Sequence, residues 1–267
     1  MCGGVRADAV RRRRVIPTRA APRGAGRLVR SIGTVVVSVV VAAGAAACSV
    51  GGAGDVVGVT DGPPAAKLTP PELDRRLLAA ELLGSAWIEQ TRLTFASGDE
   101  APAPFDPATW CPAAGARAAR LEQSVSGGGA MVELTEAGAV GGVHEVAQLV
   151  WSDSGAARFV ETSAQAFAAC AGSQWSGPDG ETISMTEVLL PGVADGAAGA
   201  RLESVIDGPD GAYVWSTRLA VVRVGSSAMV LRELDTRREG RPPRVSEDAW
   251  ARLLRGAVAR LARPGTD

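Results

Sequence analysis

The chain has 267 residues, 46% hydrophobic and 21% charged, which supplies a sizeable core and excludes a wholly disordered polymer. Its formal net charge of −1 averages two unlike parts, because residues 1–30 carry nine arginines against the single acid Asp8. Taking these from totals of 28 basic and 29 acidic residues leaves 19 against 28, a net charge of −9 that argues against nucleic acid as an electrostatic partner.

The basic start leads into an uncharged stretch from Ser31 to Gly54. Its apolar part, Ile32 to about Ala43, is shorter than the roughly 20 residues of a comfortable spanning helix. Basic residues, a short apolar run and small residues before a break form the pattern of a secretory leader. Ala45-Ala46-Ala47-Cys48-Ser49 resembles the lipobox of bacterial lipoproteins. In that family the cysteine takes a diacylglyceryl thioether and becomes the new N-terminus. Ala45 departs from the usual Leu, the same Ala-x-Ala suits an ordinary signal peptidase, and the uncharged run also fits an uncleaved anchor. The expectation is a cleaved leader over residues 1–47 and lipidation at Cys48. Two-acyl anchoring would then hold the protein at the extracytoplasmic face of the cell membrane. Residues 48–68, rich in Gly, Ala, Val, Asp and Pro without periodicity, read as a flexible tether.

The domain is expected over residues 69–264, with 265–267 as a tail. Thr69-Pro70-Pro71-Glu72 predicts an N-cap, a proline in the first turn and a capping box. A helix is expected through Leu73, Leu77, Leu78 and Leu82, stopped by Gly84. Trp87–Phe95 reads as a strand, followed by a polar loop ending in the Trp110-Cys111-Pro112 corner. Further strands are expected at Ala130–Glu136 and Val143–Trp151, with Gly-rich turns between them. Asp153 or Ser154 can cap the next helix, which places Phe159, Val160, Ala164, Phe167 and Cys170 on one face. Strands are predicted at Thr182–Leu190, Ala200–Ile206, Tyr213–Val224 and Ala228–Leu234, the last two as a hairpin. Ser246 caps a final helix whose stripe is Trp250, Leu253, Leu254, Ala257, Val258 and Leu261. Together these elements predict an α+β fold, an antiparallel β-sheet packed with N-terminal, middle and C-terminal helices.

Of four cysteines, Cys2 belongs to the leader and Cys48 to the anchor. Cys111 and Cys170 remain, and in an oxidising compartment a disulfide is their default state, two free buried thiols the alternative. Two cysteines with the lone His144 cannot supply a four-ligand structural zinc site, so neither metal nor cofactor is expected. A Ser-His-acid hydrolase would have to use His144, yet there is no G-x-S-x-G elbow. Alternation in "GGVHEVAQ" instead predicts a partly exposed strand histidine beside Glu145. The carboxylate pairs Asp99-Glu100 and Glu247-Asp248 are read as solvated or capping groups, and Ser126–Ala130 as a turn. Trp110, Trp175 and Trp250 are expected in the core. Thr236–Arg244, with Arg252, Arg255, Arg260 and Arg263, makes either a solvated basic face or a grip for a lipid phosphate or an acidic partner.

"AQLVWSDSGAARFVETSAQAFAACAG" resembles a segment of PknH-like extracellular sensor domains, in which a strand leads to a helix carrying a cysteine. Leu190-Pro191-Gly192 with Asp195-Gly196, the "VVRVG" of Val221–Gly225 and the "ELLGSAW" of Glu81–Trp87 extend the resemblance over about Pro70 to Leu261. That family occurs in actinobacterial lipoproteins and as the outer half of receptor kinases. The resemblance implies an antiparallel sheet with helices and a cleft for a ligand. No kinase motif accompanies it, and only one disulfide can form where some members have two. The expected function is therefore a non-catalytic, sensor-like module that holds a small or lipidic ligand in an apolar pocket with a few polar groups. The alternative, a protein-interaction or envelope-scaffold lipoprotein, predicts an exposed apolar patch instead.

Overall fold

The computed structural model describes residues 66–263 except 104, 106–110, 123–124, 126, 140–141, 178–179, 191, 194–195 and 209–210. The predicted leader, Cys48, most of the predicted tether, Trp110, Pro191, Asp195 and the predicted tail lie outside the described residues. In chain order the elements are α1 (Pro70–Asp74), a 3-10 turn (Ala80–Leu82), β1 (Trp87–Phe95), α2 (Ala116–Glu122), β2 (Gly129–Glu136), β3 (His144–Ser152) and α3 (Ala156–Cys170). Then follow β4 (Gln174–Ser176), β5 (Thr182–Val188), β6 (Gly196–Gly208), β7 (Gly211–Val224), β8 (Ser227–Arg238) and α4 (Glu247–Leu261). All eight strands form one antiparallel sheet in the order β1-β2-β3-β8-β7-β6-β5-β4.

Helices cover both faces of this sheet, so its central strands are buried on both sides. On one face α2 and α3 pack over Leu149, Trp151, Leu219, Val221 and Val230, with the Trp151 ring edge-on to Phe159 at 4.6 Å. On the other, α1 and α4 pack over Val132, Val146, Val150, Val222 and Leu231. Two-residue periodicity sends alternate side chains of each strand into one cluster or the other. Cys111 and Cys170 are joined by a disulfide that fixes the chain before α2 to the end of α3, Cα–Cα 5.6 Å.

The first helix is shorter than expected, stopping at Asp74 rather than running to Gly84. Long-range donors and acceptors take over the groups that would have continued it. Leu78 N–H donates to the buried Gln148 Oε1 at 2.7 Å. Arg92 donates to the carbonyls of Asp74 and Leu78 at 3.2 and 2.9 Å, and Arg260 Nε to that of Leu77 at 3.0 Å. The predicted leucine face survives, because Leu73, Leu77 and Leu78 are all buried. Leu82 is instead more than half exposed.

Other differences are smaller. The domain begins before Thr69: Leu68 N–H donates to Ser152 Oγ at 3.2 Å, and Ser226 Oγ to the Ala66 carbonyl at 3.4 Å. The N-cap of α3 is Gly155, with Asp153 accepting the Gly155 N–H in the turn before it. Gly127 and Gly129 admit close approach: a Cβ on Gly129 would collide with the Phe95 ring and the Val150 carbonyl, so this stretch starts β2 instead of only turning. The strands β6 and β8 extend beyond their predicted limits, and α2 and β4 are additions to the expected set.

Candidate functional site

Helix α4 buries Trp250, Leu254, Ala257 and Leu261 and turns its neighbouring face toward the segment between α1 and β1. Residues spaced by three and four line up on that face. Val245, Ala249, Leu253, Gly256 and Ala259 flank one side of a groove of about 910 Å³, within the roughly 300–1,000 Å³ of small-molecule sites. Leu78, Leu82, Leu83 and Trp87 form the opposite flank. Gly84, at φ 121°, lets the chain turn from the 3-10 segment into β1 and carries Trp87 to the groove edge. Val146, His144 and Glu136 supply the floor from β3 and the end of β2.

His144 is buried, at 3% exposure, which corrects the expectation of a partly exposed strand residue. Its Nδ1 lies 2.9 Å from Glu136 Oε2 and its Nε2 3.2 Å from Glu233 Oε1. A neutral imidazole can donate from only one nitrogen, whereas the protonated ring satisfies both carboxylates. Burial opposes the charge, but the hydrogen bonds and charges of Glu233 and Glu136 outweigh it and raise the imidazole above its ordinary pKa. The Trp87 ring meets His144 edge-on at 4.8 Å.

A circuit of alternating charges continues behind the histidine across the sheet. Glu233 Oε2 accepts from Arg218 at 3.0 Å, and Arg218 also donates to Glu247 at 3.0 Å and to the Val245 carbonyl at 2.9 Å. Glu247 meets Arg201 at 3.4 Å, Arg201 meets Glu203 at 2.8 Å, and Glu203 meets Arg237 at 3.4 Å. Arg237 and Arg244 both face Asp235, at 3.4 and 3.5 Å, and Arg244 returns to within 4.0 Å of Glu136. The circuit ties the loop before α4, and the first turn of that helix, to the sheet.

The groove's outer edge is cationic. Arg252, Arg260 and Arg263 line it, and among the described residues no ion pair joins any of them to a carboxylate. Arg260 spends its donors on neutral backbone carbonyls. Burial lowers its pKa, and the like charges of Arg263 and Arg92 lower it further.

The disulfide belongs to the α3 face of the sheet, the opposite face from the groove, so it braces the scaffold without touching the site. Asp99 accepts a hydrogen bond from Ala96 N–H in its own loop, whereas Glu247 does more than complement a helix end because it bridges two arginines. Trp250 is in the core and Trp175 only partly buried. Of the basic run, Arg237 and Arg244 are drawn into the charge circuit instead of forming a solvated face. Sequence reading missed Glu136, Arg218 and Glu233. A signal existed for two of them: Arg218 and Glu233 sit among apolar strand neighbours at positions whose parity points inward.

Among the described residues no group of three or more His, Cys, Asp or Glu is placed to hold a metal ion. No protein-family model matches the chain, and no curated protein matches it.

Proposed function

We propose that this protein is a non-catalytic, sensor-like binding module, held at the extracytoplasmic face of the cell membrane by lipid on Cys48, and that the α4 groove carries its ligand. The observation that carries the reading is the groove itself: apolar flanks from Leu78, Leu83, Trp87 and Leu253 over a floor with a few polar groups. That is the composition expected of a site for a small or lipidic molecule. The resemblance to PknH-like sensor domains and the lipobox-like end of the leader support the same placement. His144 fits a structural part in this reading, since both its nitrogens are taken by carboxylates and none faces a nucleophile.

Native mass spectrometry of the protein purified from its own membranes tests this. The expected result is an acyl mass on Cys48 and a co-purifying small molecule, lost when Gly256→Leu fills the groove. A ligand retained at full occupancy by that variant would overturn the assignment.

One observation favours a second reading. Where the β6–β7 hairpin runs out beyond Thr182 of β5, Ile206 and Trp215 are exposed on one face and Val205 on the other, with Trp215 at 47%. Such a tip suits a protein partner in the envelope. Loss of a co-isolated protein on Trp215→Ser, with no small molecule bound, would favour the scaffold.

A further inference from the structure

Five other arginines near the groove meet acids. Arg92 pairs with Asp74 and Glu89, and Arg201, Arg218, Arg237 and Arg244 all enter the charge circuit. Arg252, Arg260 and Arg263 do not, although they stand along one flank of the same groove. Among the described residues none of the three guanidiniums has a carboxylate within 4.0 Å, which leaves a local positive field on a domain whose residues beyond the leader are net acidic. Directly between them lies Gly256. A Cβ built there would meet nothing within 4 Å, so no close backbone contact requires glycine. Glycine inside a helix is disfavoured relative to alanine, and what it leaves here is open space on the lining of the groove. The opposite flank is apolar and ends in the exposed Leu82.

We propose that the groove takes a single-chain anionic lipid, with its acyl chain along Leu78, Leu83, Trp87 and Leu253 and its acidic head held by Arg252 and Arg263 beside Arg260. The inference rests on the reading of the groove as the ligand site and adds the ligand's chemistry. Charge complementarity selects the head, since a guanidinium fork matches carboxylate or phosphate oxygens. The leucine flank selects the chain, and the groove's volume of about 910 Å³ gives it room. Arg260 is already fixed by the carbonyls of Arg76 and Leu77, so it adds a pre-placed charge, while Arg252 and Arg263 supply free donors. The other charged groups of the lining, Glu136, His144 and Arg244, are engaged with one another, Glu136 lying 2.9 Å from His144 and 4.0 Å from Arg244, and they leave the cationic edge to set the field at the head.

The test uses the full chain, stripped of bound lipid, and the fluorescent chain acid cis-parinaric acid. Its methyl ester has the same chain without the charge, and butyrate the same head without the chain. The acid is expected to bind about tenfold tighter than the ester, the effect of one charge-assisted hydrogen bond. Arg252→Gln with Arg263→Gln should erase that preference and leave ester binding unchanged. Gly256→Leu should abolish both, and butyrate should not compete. Thermal melting of each variant confirms that it is folded. Equal affinity for acid and ester, with Gly256→Leu blocking both, would overturn the anionic head and spare the groove. Failure of both probes to bind, or binding unaffected by Gly256→Leu, would overturn the groove itself.

Discussion

Arg218 joins three elements, and replacing it with Met isolates what the charge circuit contributes. The side chain is 6% exposed, and that of its partner Glu233 3%. In Arg218→Met, Glu233 keeps only His144, at 3.2 Å, while the Val245 carbonyl and Glu247 each lose a donor at 2.9 and 3.0 Å. Removing one member of a buried pair strands the other charge and costs about 3–5 kcal/mol. For a domain of this size that is a fall of about 6–20 °C in melting temperature, taking about 2–4 °C per kcal/mol. Urea unfolding, followed by tryptophan fluorescence at constant m, measures the loss. Adding Glu233→Gln should recover part of it, since the stranded charge is then gone while the amide still bonds His144. A loss below about 1 kcal/mol, the size of an exposed pair, would refute the argument. So would a double variant less stable than Arg218→Met alone.

Three further outcomes are expected. Replacing Cys111 and Cys170 with Ser opens a loop of sequence separation 59 and should cost about 4 kcal/mol on the chain-entropy model; unchanged urea unfolding would contradict the brace. Gln148→Leu leaves the Leu78 N–H buried without an acceptor and should cost about 1–3 kcal/mol in the same assay, with Trp87 emission shifting as the α1–β1 segment loosens. His144 is raised in the fold, so its contribution is complete below the unfolded value of about 6.5 and is lost as pH climbs through the higher folded one. The stability difference between wild type and His144→Gln should therefore shrink on going from acid to alkaline pH, and a difference that grows would reverse the sign.

What was legible in the sequence is what local patterning dictates. The strand Trp87–Phe95 and the cap at Ser246 follow from alternation and from a hydroxyl ahead of an amphipathic stripe, and both stand as read, with Ser246 Oγ accepting the Ala249 N–H at 3.2 Å. The cysteine pair was legible from count and placement. The early end of α1 was not, because its cause is Gln148, seventy positions away from Leu78, and two arginines from other elements. Leu77 and Leu78 fit a helical stripe equally well in either case. His144 was misjudged because its burial depends on Glu136 and Glu233, which only strand pairing brings to it. The α4 arginines were visible as a basic face, but whether each had an acid opposite depended on the tertiary fold.

Whether the groove holds the ligand is read most directly from a crystal structure of the protein isolated from its native source without delipidation. The expected result is elongated density between α4 and the Leu78–Trp87 flank, with its polar end against Arg252 and Arg263. A water-filled groove in protein that still carries its co-purified ligand elsewhere would contradict it.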